Sequence, residues 1–148
     1  MRVNERECRL FVYGTLRQGE PRHTLLGASR YLGAVTTTPE FHLVDLGPHA
    51  ALVRGGSTAV SGEVYAVELE VRRSIDVDRQ VPILFTREAI TLADGTNADA
   101  YLLTVDQVRG RRRLSHGDWK QRFARNAPPR AGGAWVAWSR GRWTKGGV

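Results

Sequence analysis

The chain has 148 residues, which suits one domain, and its 41% of hydrophobic and 25% of charged residues are typical of a globular protein with a core. It lacks an apolar run of about 18 residues, and its first residues are polar and charged, so we expect neither a membrane-spanning helix nor a signal peptide. The single cysteine, Cys8, excludes an internal disulfide and favours a reducing compartment, so we expect a cytoplasmic protein.

The net charge of +7 is distributed unevenly along the chain. Residues 1–104 hold 11 Arg against 13 Asp and Glu, a balance of −2. Residues 105–148 hold 11 Lys and Arg against only Asp106 and Asp118, a balance of +9. Such asymmetry is typical of a segment that meets an anionic partner, and it also occurs in solvated basic surfaces that bind nothing specific.

The first half of the chain predicts a series of short strands. The apolar run at residues 9–13 ends at Gly14, which predicts a buried central strand followed by a turn. A helical turn at residues 23–27 precedes two strands at residues 31–35 and 41–46. Residues 58–67 alternate in polarity, as expected for a further strand.

The second half predicts one helix, one hairpin and a tail. Residues 68–78 are charged and have helical spacing of their apolar positions. Strands at residues 84–92 and 98–104 flank an Asp-Gly turn, which is a strong hairpin signal. Ser115 is a candidate N-cap for a helix over residues 118–125.

The composition changes after Asn126, where a Pro- and Gly-rich stretch begins. We therefore predict one domain over residues 1–126. Residues 127–148 are predicted to form a basic C-terminal extension rich in Trp, Gly and Arg.

Four patterns then follow one another in the order found in a known family. They are Tyr13-Gly14-Thr15-Leu16-Arg17, Gly62-Glu63-Val64-Tyr65, the segment from Ile75 to Arg87, and the segment from Ser115 to Trp119. They resemble the YGTLR, GEVY, LD…VP.LY.R and SGDW motifs of the gamma-glutamylcyclotransferase-like, or AIG2-like, family, with Phe85 where Tyr is usual and His116 as an insertion or substitution. The resemblance implies an α+β fold, with a small mixed β-barrel, flanking short helices and a cavity at one end.

The same resemblance implies a reaction. Family enzymes cyclise gamma-glutamyl amines or amides to 5-oxoproline and release the amine. The nucleophile is the substrate's own α-amine and ring closure is intramolecular, so we expect no cofactor and no metal. The four histidines have no metal-like spacing, and His49 is expected to pack near the cavity rather than to act in acid–base chemistry.

The turn after the first strand is the predicted ligand site. Consecutive backbone N–H groups in such a turn can point at one atom, which suits an α-carboxylate or a developing oxyanion. We expect Gly14 to Leu16 to line the largest cavity. The candidate substrate-binding residues are Tyr13, Gly14, Thr15, Leu16 and Arg79.

Arg79 stands where the family resemblance places a catalytic glutamate. The α-ammonium of the substrate must lose a proton to a general base before it attacks, and arginine stays protonated. Asp78 and Glu63 are the candidates for a relocated base, although surface exposure is the simpler expectation for Glu63. Asp76 is a third candidate, with a cap or an ion pair inside its own helix as the structural alternative.

Three functions therefore stay open. The chain is a cyclotransferase with a relocated acid, a module that binds small carboxylates through Arg79, or an interaction protein that binds nucleic acid or another polyanion. The third function depends on cations interleaved with tryptophans, which can contact phosphates and stack on bases. The candidate polyanion-binding residues are Arg109, Arg111, Arg112, Arg113, Arg140 and Arg142.

Overall fold

The computed structural model describes residues 6–123, within which there are eight strands and one α-helix. The strands are β1 Glu7–Val12, β2 Arg30–Thr36, β3 Phe41–Asp45, β4 Ala50–Arg54, β5 Ser61–Glu68, β6 Thr86–Thr91, β7 Asn97–Leu102 and β8 Arg112–Arg113. Helix α1 spans Leu69–Asp78, and short 3₁₀ turns lie at His23–Leu26, Asp106–Val108 and Trp119–Gln121. The predicted extension at residues 127–148 lies outside the described residues.

All eight strands belong to one mixed sheet, in the order β2-β5-β1-β7-β4-β3-β8. Strand β7 pairs in parallel with β1 near Asp99 and with β4 near Leu102, and β6 pairs antiparallel with β7 as an additional partner. This arrangement curls the sheet into a half-barrel. The predicted fold class, a small mixed β-barrel with short helices, is therefore confirmed.

Strand β1 lies in the middle of the sheet, as predicted from its apolar sequence. Leu10 and Phe11 are fully buried although their side chains point to opposite faces. Phe11 packs inside the curled sheet, whereas Leu10 packs on the other face with Ile75 of α1. Because both faces of β1 are covered, the turn that follows it is held in a fixed position.

Two local predictions were wrong. The segment Ala50–Arg54 forms β4, which the break at Gly47-Pro48 had concealed because the run that follows is short. The predicted helix over residues 118–125 is only a 3₁₀ turn in its described part, and its N-cap is Asp118 rather than Ser115. The Asp118 carboxylate accepts a hydrogen bond from the Lys120 N–H at 3.0 Å.

The hairpin of β6 and β7 matches the prediction closely. Its register runs from Thr86 opposite Leu102 to Thr91 opposite Asn97, around the predicted turn.

No helix within residues 6–123 combines the length and the apolar character needed to cross a membrane.

Gly62 in β5 lies where the backbone of β1 approaches most tightly. A Cβ atom at this position would lie 2.3 Å from the Val12 carbonyl oxygen and 2.5 Å from the Phe11 ring. We therefore expect Gly62→Ala to lower the free energy of unfolding by about 2–3 kcal/mol, because a backbone atom cannot move aside cheaply. Urea unfolding of this variant, with Ser61→Ala as the neighbouring control, measures the effect, and equal stability of the two variants would contradict it.

Candidate functional site

The turn after β1 forms the floor of the candidate site. Gly14 lies against β4, because a Cβ atom there would be 2.9 Å from the Ala50 Cβ. The Arg17 N–H closes the turn on the Gly14 carbonyl at 3.0 Å, and the Arg22 N–H reaches the Thr15 carbonyl at 2.9 Å. Within residues 6–123, no backbone carbonyl accepts a hydrogen bond from the N–H groups of Gly14, Thr15 or Leu16. The prediction that this turn binds an anion depends on these N–H groups.

Two cavities meet at this turn. A narrow pocket of about 10 Å³ is lined by Tyr13, Gly14, Thr15, Leu16, Arg79 and Tyr101, among others. Such a volume holds about one water molecule. A larger cleft of about 600 Å³ adjoins it at Thr15 and is lined further by Arg22, His49, Trp119 and Arg122, among others. The expectation that Gly14 to Leu16 line the largest cavity is therefore correct for Thr15 only.

Arg79 fills the middle of the site. It follows α1 directly, and its N–H bonds the Ile75 carbonyl at 2.9 Å, so the end of the helix points its side chain at the turn. The residue is only 7% exposed. Its Nη2 donates to the Thr15 Oγ1 at 2.8 Å, and its guanidinium lies 5.8 Å from the centre of the Phe85 ring. The position expected to hold an acid thus holds a buried cation.

His49 takes part in the site, contrary to the expectation of packing alone. Its Nδ1 lies 3.0 Å from the Arg79 Nη1. Because a guanidinium only donates hydrogen bonds, Nδ1 is the acceptor and the ring proton is on Nε2. Burial, together with the charges of Arg79 and Arg22, lowers the pKa of His49 and keeps the ring neutral. Sequence reasoning gave no sign of this contact, since 30 residues separate the two side chains.

Asp78 is the one candidate acid that contacts Arg79. Its Oδ2 lies 3.5 Å from the Arg79 Nη1, and its Oδ1 lies 3.4 Å from the Arg22 Nη1. The carboxylate is therefore held between two guanidinium groups at the edge of the cleft. None of the described residues that line the narrow pocket carries a carboxylate.

Glu63 is buried, at 7% exposure, so the expectation of a surface position was wrong. The alternating polarity of residues 58–67 had indicated an exposed face, but both faces of β5 are covered. The Glu63 carboxylate accepts hydrogen bonds from the Arg17 Nε at 3.2 Å, the Gln18 N–H at 2.9 Å and the Tyr65 hydroxyl at 2.9 Å. These bonds fix the chain just beyond the turn, which is a positioning role.

Arg17 extends this network to a third segment. Its Nη1 donates to the Asp118 Oδ1 at 2.8 Å, and Asp118 in turn caps the 3₁₀ turn at Trp119–Gln121. Arg17, Glu63 and Asp118 come from three of the four patterns recognised in the sequence. The patterns are far apart in the chain, and they meet here in one ion-pair network.

Asp76 has a structural role elsewhere, although not the predicted one inside its own helix. It accepts hydrogen bonds from the Arg87 Nη1 at 2.8 Å and from the Tyr101 hydroxyl at 2.6 Å. The Tyr101 carbonyl in turn accepts a hydrogen bond from the Tyr13 hydroxyl at 2.7 Å. Asp76 thereby supports the wall of the narrow pocket from behind.

Of the four predicted polyanion-binding arginines within residues 6–123, three share one pocket. Arg109, Arg111 and Arg113 line a separate pocket, whereas Arg112 pairs with Asp45 at 3.5 Å. Arg140 and Arg142 lie outside the described residues. Within residues 6–123, no group of three or more His, Cys, Asp or Glu side chains is arranged to hold a metal ion.

Comparison with known proteins identifies the family. Residues 10–121 match the family model described as gamma-glutamyl cyclotransferase, AIG2-like. The chain belongs to this family. It is 40% identical over 114 residues, 76% of this chain and 96% of the relative, to a Vibrio cholerae protein provisionally named a gamma-glutamylcyclotransferase. It is 31% identical over 90 residues to the gamma-glutamylaminecyclotransferase of Mus musculus, covering 55% of this chain and 60% of that protein.

Solved structures of similar proteins share the fold. A uropathogenic E. coli-specific protein superposes with a TM-score of 0.70 at 21% identity, over 79% of this chain and 95% of that one. An AIG2-like protein from Mus musculus superposes with a TM-score of 0.61 at 26% identity, over 66% of this chain and 78% of that one. The AIG2-like family fold is thus confirmed from both the sequence and the backbone.

The Glu63 network can be tested by one isosteric substitution. Glu63→Gln removes the negative charge next to the half-buried Arg17 while it keeps the shape of the side chain. Because hydrogen bonds to charged groups contribute about 1.5–3 kcal/mol, we expect a loss of stability of that size in urea unfolding. The exposed pair of Glu88 and Arg54 provides the control, since Glu88→Gln should change stability by less than about 1 kcal/mol. Similar losses in the two variants would show that Glu63 does not fix the turn.

The buried Tyr13 makes stability depend on alkaline pH. Burial raises the pKa of Tyr13 to about 12, from an ordinary value of 10.0. The folded protein therefore keeps a proton that the unfolded chain loses, so stability is full below about pH 10 and falls between about pH 10 and 12. Tyr13→Phe should be less stable at neutral pH by about 1 kcal/mol, because it loses one buried hydrogen bond. Its decline above pH 10 should be shallower than that of the wild type by up to about 1.4 kcal/mol per pH unit. Urea unfolding across this pH range measures both slopes, and parallel curves would exclude the effect of Tyr13.

Proposed function

We propose that this member of the family binds the carboxylate of a small gamma-glutamyl-type ligand and is at most a weak cyclotransferase. The observation that carries the proposal is the buried Arg79 guanidinium, whose Nη2 lies 2.8 Å from the Thr15 hydroxyl of the turn. A cation at this position favours an anion at the turn and cannot remove a proton from a substrate.

The donors at the site support carboxylate binding. The N–H groups of Gly14 to Leu16 have no backbone acceptor in the described part of the chain, and the turn is fixed by Glu63 and by β4. Arg79 contacts Thr15, His49 and Asp78, and its guanidinium has five N–H donors, so these contacts leave capacity for a ligand oxygen. The adjoining cleft has the volume to hold the rest of a small ligand.

The same contacts weaken the case for catalysis. In the cyclisation, the α-nitrogen forms a bond to the γ-carbonyl carbon, the amide C–N bond breaks, and the amine leaves with a proton. A base must first take a proton from the α-ammonium. His49 has its Nδ1 lone pair directed at Arg79, so that atom is not free for this role.

Asp78 supports a second candidate function, an active cyclotransferase with a relocated base. It is the candidate acid that reaches Arg79, with its Oδ2 3.5 Å from the Arg79 Nη1, so it lies next to the position where the family resemblance places the base. Glu63 is a weaker candidate because both of its oxygens are already hydrogen-bonded.

An assay of 5-oxoproline release separates the two functions. We expect turnover of a panel of gamma-glutamyl amines and amides to be weak or absent, since loss of a general base typically costs about 10²–10⁴-fold in rate. Arg79→Glu should raise the rate, because it places a carboxylate at the pocket. Robust turnover by the wild type that Asp78→Asn or Glu63→Gln abolishes would instead identify the relocated base.

Ligand binding provides an independent test. We expect glutamate, 5-oxoproline or a gamma-glutamyl amide to bind in calorimetric titrations, and Arg79→Gln to weaken binding about tenfold or more through the loss of charge-assisted hydrogen bonds. Arg54→Gln is the control, since Arg54 is an exposed arginine paired with Glu88 on another part of the sheet. Equal affinities for the wild type and Arg79→Gln would exclude the anion site.

A further inference from the structure

A second pocket lies at the far end of the strand order, beside β3 and β8. It has a volume of about 240 Å³ and shares no lining residue with either cavity at the β1 turn. We call it the arginine pocket, after three of its lining residues. It is lined by His42, Val44, Val53, Val105, Val108, Arg109, Gly110, Arg111 and Arg113.

The local chain path brings the three arginines together. The 3₁₀ turn at Asp106–Val108 has Arg109 as its C-cap, and the next residue, Gly110, reverses the chain with a φ of +80°. The Arg111 N–H then bonds the Val108 carbonyl at 3.0 Å. Arg109 and Arg111 consequently lie on either side of the reversal, and Arg113 follows in β8.

Strand alternation separates Arg112 from its neighbours. Strand β8 pairs with β3 in the register Val44 opposite Arg113 and Asp45 opposite Arg112. Arg113 therefore lies next to the buried Val44 and lines the pocket, whereas Arg112 faces away, with its Nη1 3.5 Å from Asp45 and 2.9 Å from the Arg122 carbonyl. Arg112 and Arg113 are adjacent in sequence, but only Arg113 lines the pocket.

The charge of the arginine pocket is strongly positive. None of the described residues that line it is acidic. Three arginines line it, and of these Arg109 is hydrogen-bonded to Asp106 beside the pocket. Burial and the charge of Arg113 both lower the pKa of His42, another residue that lines the pocket.

The floor of the arginine pocket is apolar. Val44 and Val53 are almost completely buried beneath it, and Val105 is exposed at its rim. A ligand that fits must combine a multiply charged anion with a less polar body. Arginine forks match phosphate oxygens in geometry as well as charge, and the exposed Val105 can contact a sugar or the edge of a base.

We propose that the arginine pocket is a second binding site, which takes the phosphate groups of a nucleotide, either free or within a single strand. The basic balance beyond residue 104 supports this assignment, because Arg111 and Arg113 supply part of it at a defined place on the folded domain. The proposal does not depend on the function of the β1 turn.

The test uses the full chain and a matched pair of variants. We expect ATP or an oligothymidylate to bind at low salt in a fluorescence or calorimetric titration. The double variant Arg111→Gln with Arg113→Gln should weaken binding about tenfold or more, since it removes charge-assisted hydrogen bonds to phosphate. Arg112→Gln removes the charge of the residue between them and should leave affinity within about threefold of the wild type, because its guanidinium faces away from the pocket and contacts Asp45 and the Arg122 carbonyl.

Further measurements identify whether the phosphate belongs to a free nucleotide or to a strand, and they check the fold of the variants. Binding of the oligothymidylate without ATP assigns the site to a strand, and binding of ATP assigns it to a free nucleotide. For the strand, log affinity should fall with log salt by roughly 0.7 per phosphate contact. Replacing both pocket arginines by lysine keeps the charges, so it should restore part of the affinity if the double Gln variant has kept its fold.

Two outcomes would overturn the proposal. The first is no binding of either probe by the wild type at low salt. The second is wild-type affinity in the double Gln variant, which would place any binding on other cations of the chain. Thermal unfolding of all variants under the same conditions shows whether a loss of binding reflects the pocket or the stability of the domain.

Discussion

The pairing of Glu63 with Arg17 is the interaction on which the geometry of the candidate site depends. A buried carboxylate is costly unless its oxygens are hydrogen-bonded, and here both oxygens are, by donors from the chain just beyond the β1 turn. The turn cannot shift without breaking these bonds. Arg17 is fixed in turn by Asp118, so the last described segment is also tied to the site. Ligand recognition, as proposed, therefore depends on a charge pair that need not touch the ligand.

Arg79 places a buried positive charge where the family resemblance predicts an acid. The β1 turn and the helix that ends beside it are both present in this member of the family. Arg79 lies at the end of this helix, and its guanidinium donates hydrogen bonds to Thr15 and His49. A buried cation would be unfavourable here without these acceptors. The surroundings of Arg79 are thus adapted to a positive charge, which argues against a simple loss of the acid.

Much of the fold could be predicted from the sequence because its signals are local. Strand β1 was recognisable from its apolar run, the hairpin of β6 and β7 from its Asp-Gly turn, and α1 from its spacing. Strand β4 was missed because five residues carry too little periodicity beside a strong break. The site was predictable in part for the same reason. Arg79 and the turn belong to contiguous patterns, whereas the contact between His49 and Arg79 and the burial of Glu63 arise from tertiary packing.

The path of the chain through the sheet has a consequence for synthesis. Strand β1 is made early, but its partners in the sheet are β5 and β7, which end at Glu68 and Leu102. The narrow pocket likewise needs Tyr101 as part of its wall. Roughly the first two thirds of the polypeptide must therefore leave the ribosome before the site can exist, and until then β1 can pair with β5 but not with β7. Such late closure of long-range contacts slows folding and exposes the nascent chain to aggregation.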